Sequence, residues 1–361
     1  MNRAEFLQWV AAFVGAGTIR PVTDGAAPLP ARRLGRTGVT LPMLGLGGYH
    51  VGQAGSEVAA RVLVDTAFDE GIRFFDTAES YQNGTSEQWL GAALAGRRDQ
   101  VFVMSKSFDF PRRRPEMAER HLAGTLKRLR VDKLDLWQLH SVRTVADVDL
   151  AFAPGGAFEM MLELKAKGLT RFLGVTGHQQ PEANLRAIHY WDQGLKFDVL
   201  QMPLNPMDYH QQSFQRYVLP ELVRRDIGVI AMKTSADGAL LREHVCSIAE
   251  CQRYAWSLPI SLAVVGQTTP AQVRENPARA LLRPTATPIV APCSRVSRRA
   301  PRCASSGTSR VPATAAVDGA NGFAESAAGR GRAACAGLPD GPRPTSRPDA
   351  PPRYRGAGRG G

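Results

Sequence analysis

Eight short apolar segments, each followed by a longer amphipathic segment, run through the chain between residues 41 and 281. Such apolar runs are typical of buried strands. Because parallel strands need helical crossovers, the repeat predicts a parallel sheet. Its period of roughly 30 residues, taken eight times, favours a closed (β/α)₈ barrel, an α/β fold whose usual size is about 250 residues. The apolar segments end at Gly48, Asp76, Lys106, His140, Thr176, Gln201, Lys233 and Gly266.

Helical patterns fill the spaces between these predicted strands, with Gly or Pro at several boundaries. An open, doubly wound sheet is the alternative architecture, and it requires a Gly-x-Gly-x-x-Gly turn after the first strand. Here Gly45 and Gly47 are followed by His50 in the place of the third glycine, which favours the barrel. The helical patterns cover residues 58–70, 86–96, 115–129, 155–168, 181–190, 212–225 and 243–257.

The last 80 residues differ in composition from the rest of the chain. Residues 283–361 hold 13 Arg, no Lys and four acids, so they carry +9 of the net charge of +12. A segment rich in Arg, Pro, Ala and Gly buries too little apolar surface to offset chain entropy, so we expect disorder over 282–361. The absence of Lys resembles GC-rich DNA translated out of frame, which suggests a frameshift near residue 282. We expect no specific nucleic-acid binding from this tail, because it has no interleaved aromatic residues or recognisable module.

The N-terminal extension, residues 1–31, has a charge near its start and then a short apolar stretch. This stretch is too short to cross a bilayer but fits the apolar region of an export signal. It is similar to a twin-arginine signal in which Ala4 replaces the second arginine. The alternative is a short amphipathic helix, and we therefore expect a cytoplasmic protein, or an exported one if the signal works. No segment is apolar over the roughly eighteen residues that a membrane span needs.

Four ionisable residues stand where the predicted strands end or just beyond. Asp76, Lys106 and His140 close the second, third and fourth strands, and Tyr81 follows Asp76 by five residues. Singly, Asp76 could cap a helix, Lys106 could be a solvated charge and His140 could be a buried imidazole. Together they converge on the C-terminal rim of a barrel, where active sites of this fold lie.

The chemistry of carbonyl reduction gives these four residues a shared purpose. Hydride transfer to a carbonyl leaves an alkoxide that must be protonated. Tyrosine can supply the proton, and a neighbouring lysine is expected to lower the tyrosine pKa from its ordinary value of about 10. Asp76 would hold Lys106 charged and oriented, while His140 would bind the substrate oxygen.

Residues 71–81, Gly-Ile-Arg-Phe-Phe-Asp-Thr-Ala-Glu-Ser-Tyr, resemble the signature of the aldo-keto reductases. Met104-Ser-Lys106 and Leu139-His140 match the lysine and histidine strands of that family, and the resemblance covers about residues 32–281. It implies an enzyme that reduces aldehydes or ketones with NAD(P)H, with Tyr81 as general acid. The partner it implies is a small-molecule carbonyl substrate, and the sequence leaves the oligomeric state open.

The same resemblance implies a cofactor site and a substrate pocket. Tyr49 and Phe108 would line the pocket. The residues implied to contact the cofactor are Gly47, Gly48, Thr176, Gln201, Met232, Lys233, Gly266, Gln267, Thr269, Gln272, Glu275 and Asn276.

This chain departs from the family pattern at several of these positions. Family members usually carry Ser-Asn where this chain has Thr176-Gly177. NADPH-preferring relatives generally have Arg at the position of Gln272, and some have Lys at that of Gly266. Arg is favoured because its planar fork matches a phosphate. We expect NADP from the family, with NAD as the alternative. The alternative interpretation of the stretch from Gly266 to Asn276 is simply the start of a helix, with Thr269 as N-cap and Pro270 as its first residue.

Other kinds of site find less support. The seven His residues include no pair at the H-x-x-x-H spacing, so we expect no metal site. Arg112, Arg113 and Arg114 are interpreted as a solvated loop within reach of an anionic substrate. Two alternatives to an active reductase stay open: a regulatory barrel that binds cofactor with little turnover, and a non-functional truncated product.

Overall fold

Eight parallel strands close into a barrel, as the alternating sequence pattern predicts. The computed structural model describes residues 29–281, with side chains to residue 276. Neighbouring barrel strands follow one another in chain order, and the last strand pairs with the first. The barrel strands are β3 (Leu44–Gly47), β4 (Phe74–Asp76), β5 (Phe102–Ser107), β6 (Leu134–Val142), β7 (Thr170–Gly177), β8 (Val199–Pro203), β9 (Gly228–Met232) and β10 (Leu262–Gly266).

Helices connect the strands and cover the outside of the barrel. They are α1 (Gly48–Val51), α2 (Glu57–Asp69), α3 (Thr85–Ala93), α4 (Pro115–Leu129), α5 (Val145–Phe152), α6 (Ala157–Ala166), α7 (Pro181–Asp192), α8 (Phe214–Tyr217), α9 (Leu219–Arg224), α10 (Ala239–Arg242), α11 (Ile248–Ser257) and α12 (Pro270–Leu281). No helix within residues 29–281 is long and apolar enough to cross a membrane.

The predicted helices exist, but those over 86–96 and 155–168 are two to four residues shorter than their patterns, and two others differ more. The pattern over 212–225 is divided between α8 and α9, and that over 243–257 becomes a helix only from Ile248. Ser247 explains the later start, because its side chain and that of Glu250 form a reciprocal cap at the beginning of α11. Helix α5 was not predicted at all, since its eight residues are too few for a clear period.

A short hairpin closes the N-terminal end of the barrel, and the sequence analysis did not predict it. β1 (Ala31–Arg33) pairs antiparallel with β2 (Thr40–Pro42). Leu34 and Leu41 from the hairpin pack with the barrel-interior side chains of Phe74 and Phe102. Arg32 fastens the hairpin by donating to the main-chain oxygens of three residues, Trp256, Leu258 and Ile260, at 2.9 Å each.

Two predictions lie outside the described residues. The export-signal interpretation concerns residues 1–28 almost entirely, and the predicted tail begins at residue 282. Both stay predictions.

Candidate active site

Three strands and one turn bring the four predicted catalytic residues together. Asp76 ends β4, Lys106 lies in β5, His140 lies in β6, and Tyr81 begins a one-turn 3-10 helix after β4. Lys106 Nζ forms a buried ion pair with Asp76. It also donates to the Thr77 main-chain oxygen at 2.8 Å and to Tyr81 Oη at 3.2 Å. The lysine therefore joins the carboxylate and the phenol in one buried network.

Burial and charge act against each other in this network. Burial raises the pKa of Asp76, although the neighbouring Lys106 opposes the rise. Burial alone would lower the pKa of Lys106, but Asp76 and Tyr81 outweigh it and the pKa of the lysine lies above its ordinary value. An ammonium group is therefore present at neutral pH.

The pKa of Tyr81 moves in the direction opposite to the prediction. Burial of the phenol raises the pKa above 10, and this outweighs the lowering by Lys106. The lysine acts with the expected sign, but the sequence does not show how much water the site excludes. Tyr81 is consequently a protonated donor at any ordinary pH.

His140 is placed by an irregularity in β6. The pairing of β6 with β7 shifts register between Leu139 and Val142. Ser141 within it has a φ of +53°, a left-handed conformation whose energetic cost must be offset by surrounding contacts. Ser141 N donates to Thr176 Oγ1 at 2.7 Å. Burial, followed by the charge of Lys106, puts the pKa of His140 well below 6.5, so the imidazole is neutral.

Arg113 is buried and bonds the main chain of this irregular part of β6. Its interpretation as part of a solvated loop is therefore wrong. Its guanidinium donates to the main-chain oxygens of His140 and Ser141, each at 2.7 Å. It also forms two hydrogen bonds with Asp147, at 2.7 and 2.8 Å, and only 2% of Arg113 is exposed. Arg112 alone is exposed as expected, whereas Arg114 pairs with Asp109.

Aromatic rings surround His140 and Tyr81 on the side predicted to receive the substrate. Tyr49 meets Tyr81 edge to face, with ring centroids 5.3 Å apart. Phe108 and His178 approach His140 at 5.6 and 5.9 Å. Burial and nearby cations lower the pKa of His178 to about 3, so this ring is neutral too. The predicted pocket residues Tyr49 and Phe108 thus both lie beside the network.

The side chains predicted to hold the nicotinamide are hydrogen-bonded to the predicted catalytic residues or to their neighbours. Gln201 Nε2 donates to Asp76 at 3.4 Å, and Gln201 Oε1 accepts from Gln138 at 3.1 Å. Thr176 Oγ1 accepts from Ser141 N and lies 3.3 Å from His178 Nε2. Both side chains are buried. Thr176 is the next-to-last residue of β7, whereas Gln201 lies in the middle of β8, which runs two residues beyond the strand end predicted at Gln201.

Gly177, which replaces an amide residue of the family pattern, faces another amide. A Cβ added at Gly177 would overlap the side chain of Asn184 from α7. Asn184 is fully buried, and neither its oxygen nor its nitrogen has a hydrogen-bond partner within the described part of the chain. A buried unpaired amide costs about 1–3 kcal/mol, so Asn184 is poised for a polar ligand. Nothing in the sequence alone links these two positions.

Two glycines, one directly after β3 and one at the end of β10, lie too close to neighbouring atoms for a larger residue to fit. A Cβ at Gly48 would overlap the main-chain oxygen of Asp76, so only glycine fits there. A Cβ at Gly266 would overlap the ring of His50, which therefore covers the glycine where some relatives carry lysine. Gly47 lies between Gly266 and Asp76 in the sheet.

The segment after β10 contains a second unpaired amide. Gln267 is fully buried, and its side-chain oxygen and nitrogen have no partner among the residues described. Gln272 Oε1 accepts from the main-chain nitrogen and hydroxyl of Thr268 at 2.8 and 3.1 Å. Thr269 Oγ1 accepts from Gln272 N at 3.3 Å, which supports the interpretation of Thr269 as a helix cap.

The remaining predicted cofactor residues have varied surroundings. Met232 ends β9 and is 7% exposed. Lys233 follows with a φ of +52° and an ion pair to Asp237 at 2.8 Å. Glu275 is exposed on α12, and Asn276 Oδ1 accepts from Gln252 at 2.8 Å.

Comparison with known proteins gives a matching family model and several relatives. The sequence model described as "Aldo/keto reductase family" matches residues 43–276. A D-threo-aldose 1-dehydrogenase of a Pseudomonas species is 29% identical over 234 residues, which cover 56% of this chain and 68% of the relative. A methylglyoxal reductase of Escherichia coli is 30% identical over 177 residues, 45% of this chain and 60% of the relative.

A solved structure extends the likeness to the fold. The holo form of an aldo-keto reductase from Bacillus halodurans superposes with a TM-score of 0.59 at 22% identity. The superposition covers 71% of this chain and 92% of that one. At this identity the likeness concerns the fold alone.

Proposed function

Because this chain belongs to the aldo/keto reductase family, we propose that it reduces an aldehyde or ketone to an alcohol with NADPH or NADH. The observation that carries the proposal is the buried contact of Lys106 with both Tyr81 and Asp76. The phenol of Tyr81 is the proton donor. The ammonium group of Lys106 holds it in position, and the carboxylate of Asp76 holds the lysine.

In the proposed reaction Tyr81 donates its proton to the carbonyl oxygen as negative charge develops there. A reduced nicotinamide held beside Thr176, Asn184 and Gln201 would supply the hydride for the carbonyl carbon, so that hydride and proton together give the alcohol. Lys106 stabilises the phenolate that remains, and Asp76 keeps the lysine oriented. His140, neutral and buried, donates a hydrogen bond to the substrate oxygen. Solvent returns the proton to Tyr81 after release.

The residues that would hold the cofactor fit a nicotinamide dinucleotide. Asn184 and Gln267 are fully buried amides without partners in the described chain, and an amide complements the carboxamide of nicotinamide and the polar groups of a dinucleotide. Asn184 would supply the amide that Gly177 lacks. Thr176 and Gln201 would complete the nicotinamide side. Gln267, Gln272 and the start of α12 would face the adenosine end, where helix N-termini favour anionic groups.

Tyr81→Phe tests the mechanism, and Tyr209→Phe is the matched control because Tyr209 is 38% exposed. We expect Tyr81→Phe to lower kcat by about 10²–10⁴, the usual worth of general acid catalysis, while cofactor binding measured by fluorescence is unchanged. Normal turnover in this variant would contradict the role of Tyr81. Cofactor binding without turnover of any aldehyde in a broad panel by the unaltered protein would instead support the regulatory barrel.

A further inference from the structure

Arg143 lies just beyond β6, three residues after His140, on the side of the site that the aromatic rings surround. Its guanidinium carbon is 4.3 Å from the ring centre of Phe110 and 5.7 Å from that of Phe108. Phe108 in turn is 5.6 Å from the His140 ring. Phe108 is thus the shared neighbour of the catalytic histidine and this arginine.

Charge is not balanced at this edge of the site. Asp147 lies four residues beyond Arg143, but its two carboxylate oxygens bind the buried guanidinium of Arg113. Asp147 also accepts from the main-chain nitrogen of Arg143, at 2.9 Å, and not from its side chain.

Three acids in the loops that follow β4, β5 and β9 have partners of their own. Asp109 pairs with Arg114, Glu79 faces His121 at 3.7 Å, and Asp237 pairs with Lys233. Across the described residues no ion pair involves the side chain of Arg143, and its buried Nε has no hydrogen-bond partner. A half-buried guanidinium with unused donors lacks an anion.

We propose that Arg143 binds a negatively charged group of the substrate, so that the preferred carbonyl compounds carry a carboxylate a few bonds from the carbonyl group. Phe108 and Phe110 hold the guanidinium plane by cation–π contact, which leaves its remaining N–H groups for a two-point contact with a carboxylate. The proposal rests on the proposed function, because it extends the same site toward the rest of the substrate.

Two aldehydes that differ only in charge test this assignment: 4-formylbenzoate and its methyl ester. We expect the unaltered protein to prefer the acid, and Arg143→Met to lower kcat/KM for the acid by roughly 10- to 100-fold, the usual worth of a charge-assisted contact. The ester should change less than about threefold. Arg112→Met, a change at an exposed arginine, is the control and should alter neither. An equal loss for both aldehydes, or no loss for the acid, would overturn the proposal.

A binding measurement separates this proposal from the proposed function. Calorimetric titration of the unaltered full chain, loaded with oxidised cofactor, uses benzoate as an inert probe and benzamide as its neutral counterpart. Benzoate should bind, more weakly at high salt, and Arg143→Met should abolish that binding even if no aldehyde is ever turned over. Equal binding of benzoate by both proteins would reject Arg143 as the anion site, whatever the catalytic result.

Discussion

The guanidinium of Arg113 donates a 2.7 Å hydrogen bond to the main-chain oxygen of His140, although the arginine belongs to the segment after β5 and the histidine to β6. Through this bond, Arg113 fixes the main chain of His140, whose side chain is proposed to bind the substrate oxygen, without itself belonging to the proposed catalytic set. Arg113 is therefore a positioning residue.

Replacing Arg113 should affect both stability and turnover. Arg113→Met leaves Asp147 buried without its partner, and such losses cost about 3–5 kcal/mol. Arg113→Lys keeps the charge but cannot span the two main-chain oxygens and Asp147 together, so we expect a lower kcat with nearly unchanged cofactor affinity. Urea unfolding and steady-state kinetics check both effects, with exposed Arg112→Met expected within about 0.5 kcal/mol. A kcat of Arg113→Lys equal to that of the original would contradict the positioning role.

The pH dependence of reduction should be flat around neutrality. Burial raises the pKa of Tyr81, so the phenol stays protonated around neutral pH. Burial also lowers the pKa of His140 well below 6.5, so the imidazole stays neutral there. We therefore expect kcat/KM for a neutral aldehyde to change less than about twofold between pH 6 and 9. A bell-shaped profile centred near 7 would show that another group, or a strongly lowered tyrosine pKa, controls the reaction.

Glu79 should make stability depend on pH. Burial raises its pKa from 4.5 to about 7, although its bond from Phe108 N opposes the rise. Between these values the folded chain holds a proton that the unfolded chain has released, so stability falls as pH rises from about 4.5 to 7. Glu79→Gln should remove this slope, which is worth at most about 3 kcal/mol. Unfolding at pH 5 and pH 8 measures it, and exposed Glu119→Gln should keep the slope of the original.

Asn184 and Gly177 should behave as a pair. We expect Asn184→Ala to weaken cofactor binding roughly fivefold or more, the worth of one hydrogen bond. Gly177→Asn alone should destabilise the fold by overlap with Asn184. The double variant should recover binding, because it moves the amide to the neighbouring backbone position. Fluorescence titration measures all three, and a double variant as weak as Asn184→Ala would contradict the pairing.

Cofactor preference should respond to Gln272. Its side chain now closes the turn at Thr268, and an arginine there would present two donors to a phosphate. We expect Gln272→Arg to shift the NADPH to NADH ratio of kcat/KM at least tenfold toward NADPH. An unchanged ratio would place the 2′-phosphate elsewhere.

The barrel strands and the convergence of Asp76, Tyr81, Lys106 and His140 could be predicted from the sequence because each belongs to a local pattern. Arg113 could not, since a basic triplet is normally solvated and its burial depends on Asp147 in another loop. The hairpin strands have three residues each, too few to show alternation. Asn184 was missed because its side chain occupies the space left by Gly177, and the sequence does not show that α7 and β7 bring these two residues together.

The bonds from Arg32 to the carbonyl groups at 256–260 have a consequence for biosynthesis. They join positions separated by more than 220 residues. Almost the whole barrel must therefore be synthesised before Arg32 can fasten the hairpin to residues 256–260. Contacts of such long range form late, because loop closure must be completed first. Until then Arg32 lacks these three acceptors, and incompletely folded nascent chains are prone to association.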